Sequence, residues 1–198
     1  MDQKRDEELL AEHLAGDPRA FEVLVARYAE DLYNFFQRFV GNAAAADDLV
    51  QETFLQVHLA ASTFDPSRSF KPWLYTIAAN KGRDYMRSRG RRPAQSLDVS
   101  VDRHGGPSPA DLLPASDAAP PAACESLEDR QTVQALIAQM PEPQRLMLVL
   151  GYYQRLPYAQ IAEILGIPVG TVKSRLHAAV THFAKLWLGR MQRPASGH

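Results

Sequence analysis

Lys173, Ser174 and Arg175 stand where cations and a hydroxyl could be offered together to a polyanion. They belong to the stretch from Tyr158 to Phe183, YAQIAEILGIPVGTVKSRLHAAVTHF. Ile161, Ile164 and Leu165 mark the apolar stripe of one helix. Gly166 follows where a helix stops in the left-handed conformation that glycine tolerates. Pro168 suits the first turn of a second helix, where a missing N–H costs nothing. Val172, Leu176, Ala179 and Phe183 recur at helical spacing and are expected to point inward. Thr171, Lys173, Ser174, Arg175 and His177 then remain on the outer face. A helix-turn-helix presents such a face to the major groove, where side chains reach base edges and phosphates. The competing reading is a plain αα-hairpin with a solvated basic face. Turn chemistry, inward stripe and exposed donors all agree with DNA binding.

A second candidate is SFKPWLYTIAANKGRDYMRSRGRR, residues 69–92. Trp73, Tyr75 and Tyr85 lie among Lys71, Lys81, Arg83, Arg87 and Arg89. Aromatic rings stack on unpaired bases while cations follow the phosphates, as binding of a single strand requires. Aromatics at helical spacing are also ordinary core residues, so Trp73 fits either role. A third candidate is AADDLVQETFLQVHLA. Val50, Phe54 and Val57 give an inward stripe and leave Asp48, Gln51, Glu52 and Gln56 outside. That acidic and amide face suits a basic partner helix, or simply water. A metal site from Asp47, Asp48 and Glu52 is disfavoured, because adjacent carboxylates on a helix diverge and no histidine completes the set. No catalytic signature is found: there is no G-x-S-x-G, P-loop, H-E-x-x-H or dinucleotide turn. The sequence thus predicts no enzyme activity, no cofactor and no metal.

The elements that must position these residues are helices. No segment shows sustained strand alternation. Helices are predicted at Glu7–Ala15, Ala20–Phe39, Ala43–Ala60 and Trp73–Arg89, with Asn42 capping the third and Gly90 ending the fourth. A second set is predicted at Leu127–Met140, Pro143–Tyr153, Tyr158–Leu165 and Pro168–Leu188. Residues 93–127 hold Pro93, Pro107, Pro109, Pro114, Pro120 and Pro121 and have no apolar periodicity. Such a segment cannot bury enough surface to offset its ordering entropy, so it reads as a flexible linker. A short turn near Pro109–Leu113 is its one local signal. The fold class is therefore all-α, two small helical domains at 1–92 and 128–198 joined by a linker at 93–127.

The net charge of −1 over 198 residues hides segregation. Residues 1–67 carry five basic and thirteen acidic side chains, residues 68–92 eight and one, residues 93–127 one and five, and residues 128–198 eight and four. The basic blocks coincide with the two candidate DNA-binding segments, which is where polyanion contact is expected. Cys124 is the only cysteine, so no intrachain disulfide is available. A reduced, cytosolic setting fits. The acidic, amphipathic start MDQKRDEELLAEHLAGD is not a secretory signal, and no apolar run is long enough to span a bilayer.

In their order and spacing these motifs resemble the extracytoplasmic-function (ECF) sigma factors, two-domain specificity subunits of bacterial RNA polymerase. DDLVQETFLQV is similar to the polymerase-docking helix of region 2. FKPWLYTIAANKGRDYMRSRGRR resembles the −10 recognition and melting segment. MPEPQRLMLVLGYYQRLPYAQIAEILGIPVGTVKSRL resembles region 4, which reads the −35 element. The resemblance implies that Asp48, Gln51, Glu52 and Gln56 meet core RNA polymerase, formed around its β and β′ subunits. It implies that Phe64 to Lys71 form a loop capturing a flipped −10 base, with Asn80 beside it, while Trp73, Lys81, Arg83 and Arg87 support strand separation. Thr171, Lys173, Ser174, Arg175 and His177 would face the −35 duplex. Promoter DNA, both duplex and single-stranded, and an anti-sigma factor are the implied partners, in the bacterial cytoplasm and without membrane insertion. Two other functions compete: a helix-turn-helix regulator acting without polymerase, and a polymerase-binding decoy. The promoter elements would lie about 50–65 Å apart at ~34 Å per duplex turn. A linker of about 35 residues averages ~30–35 Å and reaches that span only when stretched.

Overall fold

The computed structural model describes residues 4–90 and 127–191. Among them every regular element is helical, as the periodicity predicts. The N-terminal lobe holds α1 (Asp6–Leu14), α2 (Pro18–Val40), α3 (Ala43–Ala60), a 3₁₀ turn at Ala61–Thr63, and α4 (Phe70–Gly90). The C-terminal lobe holds α5 (Leu127–Gln139), α6 (Glu142–Leu148), a π turn at Val149–Tyr153, α7 (Tyr158–Leu165) and α8 (Val169–Met191). The expected linker, the turn near Pro109–Leu113, Cys124, Arg91 and Arg92 lie outside the described residues.

Local chemistry sets the helix ends. The Asp17 carboxylate accepts from the Arg19 N–H at 2.9 Å, and Pro18 opens α2. Gly41 closes α2 in the left-handed region at φ 72°. Asn42 then caps α3 by accepting from the Ala45 N–H at 2.9 Å. The fourth helix begins at Phe70, three residues before the predicted Trp73. Pro72 falls in its first turn, where backbone N–H groups have no helical acceptor and proline is harmless. The Phe70 N–H is satisfied from α1 instead, by the Glu7 carboxylate at 2.9 Å.

Packing explains two residues that look ill-suited to α4. A Cβ on Gly82 would lie 2.6 Å from the Phe39 ring, so glycine is what allows α4 to approach α2. Tyr75 is fully buried, with its ring edge-on to Phe35 at 5.6 Å. The predicted helix Pro143–Tyr153 is regular only as far as Leu148. It then widens into the π turn, where a Cβ on Gly151 would come within 3.0 Å of Leu176 on α8. The sequence predicts two lobes and says nothing about contact between them. In the structure they pack directly: α4 lies against α7, and α2 against α5 and the π turn, with one core running through both.

Candidate nucleic-acid interface

The α7–α8 pair is built by its turn. Gly166 takes φ 63°, the left-handed conformation, and the Ile167 N–H returns to the Ala162 carbonyl at 3.0 Å. Pro168 precedes α8, and its carbonyl accepts from Thr171 at 2.9 Å. Val172, Leu176 and Ala179 are buried, as the stripe predicts. Phe183 is half-buried and stacks on Trp187 at 6.3 Å. Lys173, Ser174, Arg175 and His177 are exposed and Thr171 is half-buried at their edge. The Ser174 hydroxyl donates to the Thr171 carbonyl at 3.1 Å, which leaves its lone pairs outward.

The second surface follows α4 and the loop before it. Phe64, Phe70 and Trp73 form a ring cluster, with Phe64–Trp73 at 5.0 Å and Phe70–Trp73 at 5.9 Å. Phe64 and Trp73 are half-buried, so each keeps an accessible edge, whereas Phe70 is fully buried. Between Phe64 and Phe70 the loop is shaped by Asp65, whose carboxylate accepts from the Ser67 N–H at 2.9 Å. Hydrogen bonding from Ser67 holds that carboxyl below its usual range. Trp73, Asn80 and Arg87 are seven residues apart and therefore share one face of α4. The predicted cations of this segment already have partners. Lys71 lies over the Tyr75 ring at 5.9 Å. Lys81 meets Glu52 at 3.3 Å. Arg83 reaches Asn80 at 3.5 Å and Glu142 at 3.4 Å. Arg87 pairs with Asp84. Partly exposed pairs of this kind are worth roughly 0–1 kcal/mol, so phosphates can displace them.

The third surface is the outer face of α3. Asp48, Gln51, Glu52 and Gln56 are exposed on it. Leu49, Phe54, Val57 and Thr53 turn inward, the Thr53 hydroxyl donating to the Leu49 carbonyl at 2.6 Å. Two residues missed by the sequence reading extend the outer face: Leu55 is 59% exposed and Leu59 66%. Their signal was available, since Leu55 lies seven residues after Asp48 and Leu59 seven after Glu52, on the stripe opposite Val50, Phe54 and Val57. Among the described residues no three histidine, cysteine or carboxylate side chains converge as metal ligands. No helix there is long and apolar enough to cross a membrane.

Comparison with known proteins places these surfaces in a family context. The family profile for Sigma-70 region 2 matches residues 24–92, and that for Sigma-70, region 4 matches residues 130–183. The ECF RNA polymerase sigma factor SigW of Bacillus subtilis (strain 168) is 38% identical over 162 residues, 82% of this chain and 86% of that protein. The RNA polymerase sigma-H factor of Pseudomonas aeruginosa is 35% identical over 182 residues, 89% and 91% of the two chains. Among solved structures, that of CnrH in complex with the cytosolic domain of CnrY superposes with a TM-score of 0.68 at 27% identity, over 93% of this chain and 97% of that one.

Proposed function

Because this chain belongs to the ECF sigma factors of the sigma-70 family, we propose a division of labour in which α3 docks on polymerase, α4 with its preceding loop opens the −10 element, and α8 reads the −35 element. The chain is a transcription initiation factor that directs RNA polymerase to promoters. This reading assigns it no catalytic chemistry of its own and places it in the bacterial cytoplasm with its polymerase. The working units are residues 1–92 and 128–198, tethered through 93–127.

Docking rests on α3. Asp48, Gln51, Glu52 and Gln56 offer carboxylates and amides to basic helices of the β and β′ assembly, and Leu55 and Leu59 give that polar face an apolar centre. Melting rests on the ring cluster. Flipping one base out of a duplex costs a few kcal/mol, and stacking on an aromatic ring returns about 1–3 kcal/mol. Phe64 and Trp73 supply the rings, Asn80 a hydrogen-bonding amide, and Lys71, Lys81, Arg83 and Arg87 the track for the backbone. The −35 contact rests on Thr171, Lys173, Ser174, Arg175 and His177, held outward by the buried Val172, Leu176 and Ala179. An anti-sigma factor is proposed as the regulating partner, as the family resemblance implies.

The observation that carries the residue-level reading is the half-buried Phe64–Trp73 pair beside the Trp73–Asn80–Arg87 stripe. A regulator that only held duplex DNA would have no use for accessible rings. Run-off transcription with purified core polymerase tests it. Trp73→Ala and Asn80→Ala are expected to lose open complexes on duplex promoters and to recover partly on a pre-melted template, where the flipping cost is removed. Equal failure on both templates would remove the melting role.

A further inference from the structure

Helix α1 has nine residues, too few to stay helical in water without partners. Leu9 and Leu10 are its buried anchors. Two carboxylates at its start make its polar contacts. Asp6 accepts from the Arg27 guanidinium and from the Tyr28 hydroxyl on α2. Arg27 also donates to the Lys4 carbonyl at 3.2 Å, which ties the start of the helix a second time. Burial, followed by the hydrogen bond to Asp6, raises the Tyr28 pKa, so the hydroxyl keeps its proton and donates. The next residue, Glu7, reaches α4, where its Oε1 accepts from the Phe70 N–H at 2.9 Å. That N–H opens α4. Donors there have no helical acceptor, and a carboxylate also meets the positive end of the helix dipole. The Tyr28 ring lies 5.6 Å from the Phe70 ring, which in turn lies 6.1 Å from Phe64 and 5.9 Å from Trp73.

We propose that Glu7 is a positioning residue for base capture: it fixes the first turn of α4, so that Phe64 and Trp73 stand ready to receive a flipped base. The placement of α1 supports this, because the helix brackets the loop. It packs on the 3₁₀ turn at Ala61–Thr63, which precedes Phe64, and on α4, which begins at Phe70. The bonds inside the loop are short-range. The Phe64 N–H donates to the Ala61 carbonyl at 3.2 Å and the Arg68 N–H to the Asp65 carbonyl at 3.0 Å. They shape the loop, and the Glu7 bond ties its end to the body of the lobe. Without that bond the first turn of α4 frays, and base capture must order it again. A loop ordered beforehand spares the strand this cost. Glu7 lies on neither the outer face of α3 nor α8, so the role is local to the −10 segment. It also lies before residue 24, where the match to Sigma-70 region 2 begins. The brace rests on the contacts alone; its meaning for DNA rests on the function proposed above for Phe64 and Trp73.

The test uses the full chain with Trp187→Phe, which leaves Trp73 as its one tryptophan. Trp73 emission then reports the state of the ring cluster in the free factor. Binding of a dye-labelled, mixed-sequence single strand is followed by anisotropy, and core polymerase affinity is measured alongside. All readings are taken well below each variant's unfolding midpoint, on chains with unchanged helical circular dichroism. Glu7→Ala is expected to shift Trp73 emission to the red and to weaken strand binding by about fivefold, the loss of one helix cap. Glu7→Gln keeps an acceptor of the same reach and should leave both readings near those of the parent chain. Core affinity should not change in either variant. Unshifted emission in Glu7→Ala would overturn the brace. Equal losses in Glu7→Ala and Glu7→Gln would overturn the hydrogen bond as its cause. A matching loss of core affinity would replace the local role with a general weakening of the lobe. Shifted emission with unchanged strand binding would overturn the part in base capture, and would spare the ring assignment if Trp73→Ala still weakens the strand. Strand binding that Trp73→Ala leaves unchanged would remove the ring assignment and the inference with it.

Discussion

Lys81 Nζ lies 3.3 Å from Glu52 Oε2, so a cation assigned to promoter DNA is held by a carboxylate assigned to polymerase. The pair joins α4 to α3 and is partly open to water, with Lys81 30% and Glu52 54% exposed. Such pairs contribute roughly 0.2–1 kcal/mol. Glu52→Gln is expected to weaken core binding and to strengthen single-strand binding by at most about fivefold, because Lys81 is released to the phosphates. Lys81→Met should abolish the second effect only. Titrating each variant with core enzyme and, separately, with single-stranded DNA checks the pair. A Glu52→Gln change that lowers both affinities would refute the opposition.

Leu55 and Leu59 should matter to docking more than any single carboxylate on their face. Burying one leucine contributes about 1.5–3 kcal/mol, against less than ~1 kcal/mol for an exposed charge pair. Leu55→Ala is expected to weaken core polymerase binding by at least about tenfold at 0.3 M salt, where charge contacts are screened. Its thermal midpoint should stay within a few degrees, since the side chain is already exposed in the free factor. A salt-sensitive loss no larger than that of Asp48→Asn would return the docking energy to the charges.

The helices and the three faces were legible in the sequence because each depends on local spacing. Asn42, Gly166 and the stripes of α3 and α8 need only their neighbours to be read. The roles of Gly82 and Tyr75 in α4 were not legible, for the opposite reason. Their causes, the Phe39 ring and Gln154, lie 43 and 79 residues away in sequence. Arg145 is similar: in the sequence it is one more cation of the basic C-terminal block, and only the fold shows it spent on backbone carbonyls. Contacts between lobes leave no periodicity to find.

Gly82→Ala tests the close approach of α4 to α2. In an open helix the change would stabilise by about 0.5–1 kcal/mol. Here the added methyl would lie 2.6 Å from Phe39, which is itself fully buried against Phe35 and cannot swing away. Overpacking of this kind costs about 1–3 kcal/mol, so a net loss is expected. Urea unfolding should show a lower midpoint for Gly82→Ala. Pairing it with Phe39→Leu should recover part of the loss. A midpoint raised by Gly82→Ala alone would show that the interface yields.

His13 makes stability depend on pH below neutrality. Its Nε2 sits 3.0 Å from His58 Nδ1, its ring packs on Phe21 at 4.6 Å, and its Nδ1 is buried. Burial, followed by the His58 charge, lowers its pKa below the usual 6.5. The unfolded chain then binds the proton more readily than the folded one. Stability from this group is complete above about pH 6.5 and is lost as pH falls toward the depressed folded value. The unfolding midpoint should drop between pH 7.5 and 5.5, and His13→Gln should flatten that slope. An identical slope in the variant would show that His13 is not the responsible group.

Arg175 and Lys173 should separate specificity from affinity. Both are exposed near the start of α8, and the bulk of the helix behind them is fixed by Val172 and Leu176. A guanidinium can grip guanine O6 and N7 with two parallel donors, worth about 1–3 kcal/mol of discrimination against other bases. An ammonium offers a point charge that serves a phosphate equally well on any sequence. Arg175→Ala is therefore expected to relax preference at one −35 position. Lys173→Ala should weaken every sequence alike and reduce the salt slope by about one. The measurement is a binding series over all single-base variants of the −35 element at two salt concentrations. It should use the holoenzyme, because the two lobes of the free factor pack on each other. Uniform losses for both variants would leave the α8 face as a phosphate clamp and move base reading elsewhere.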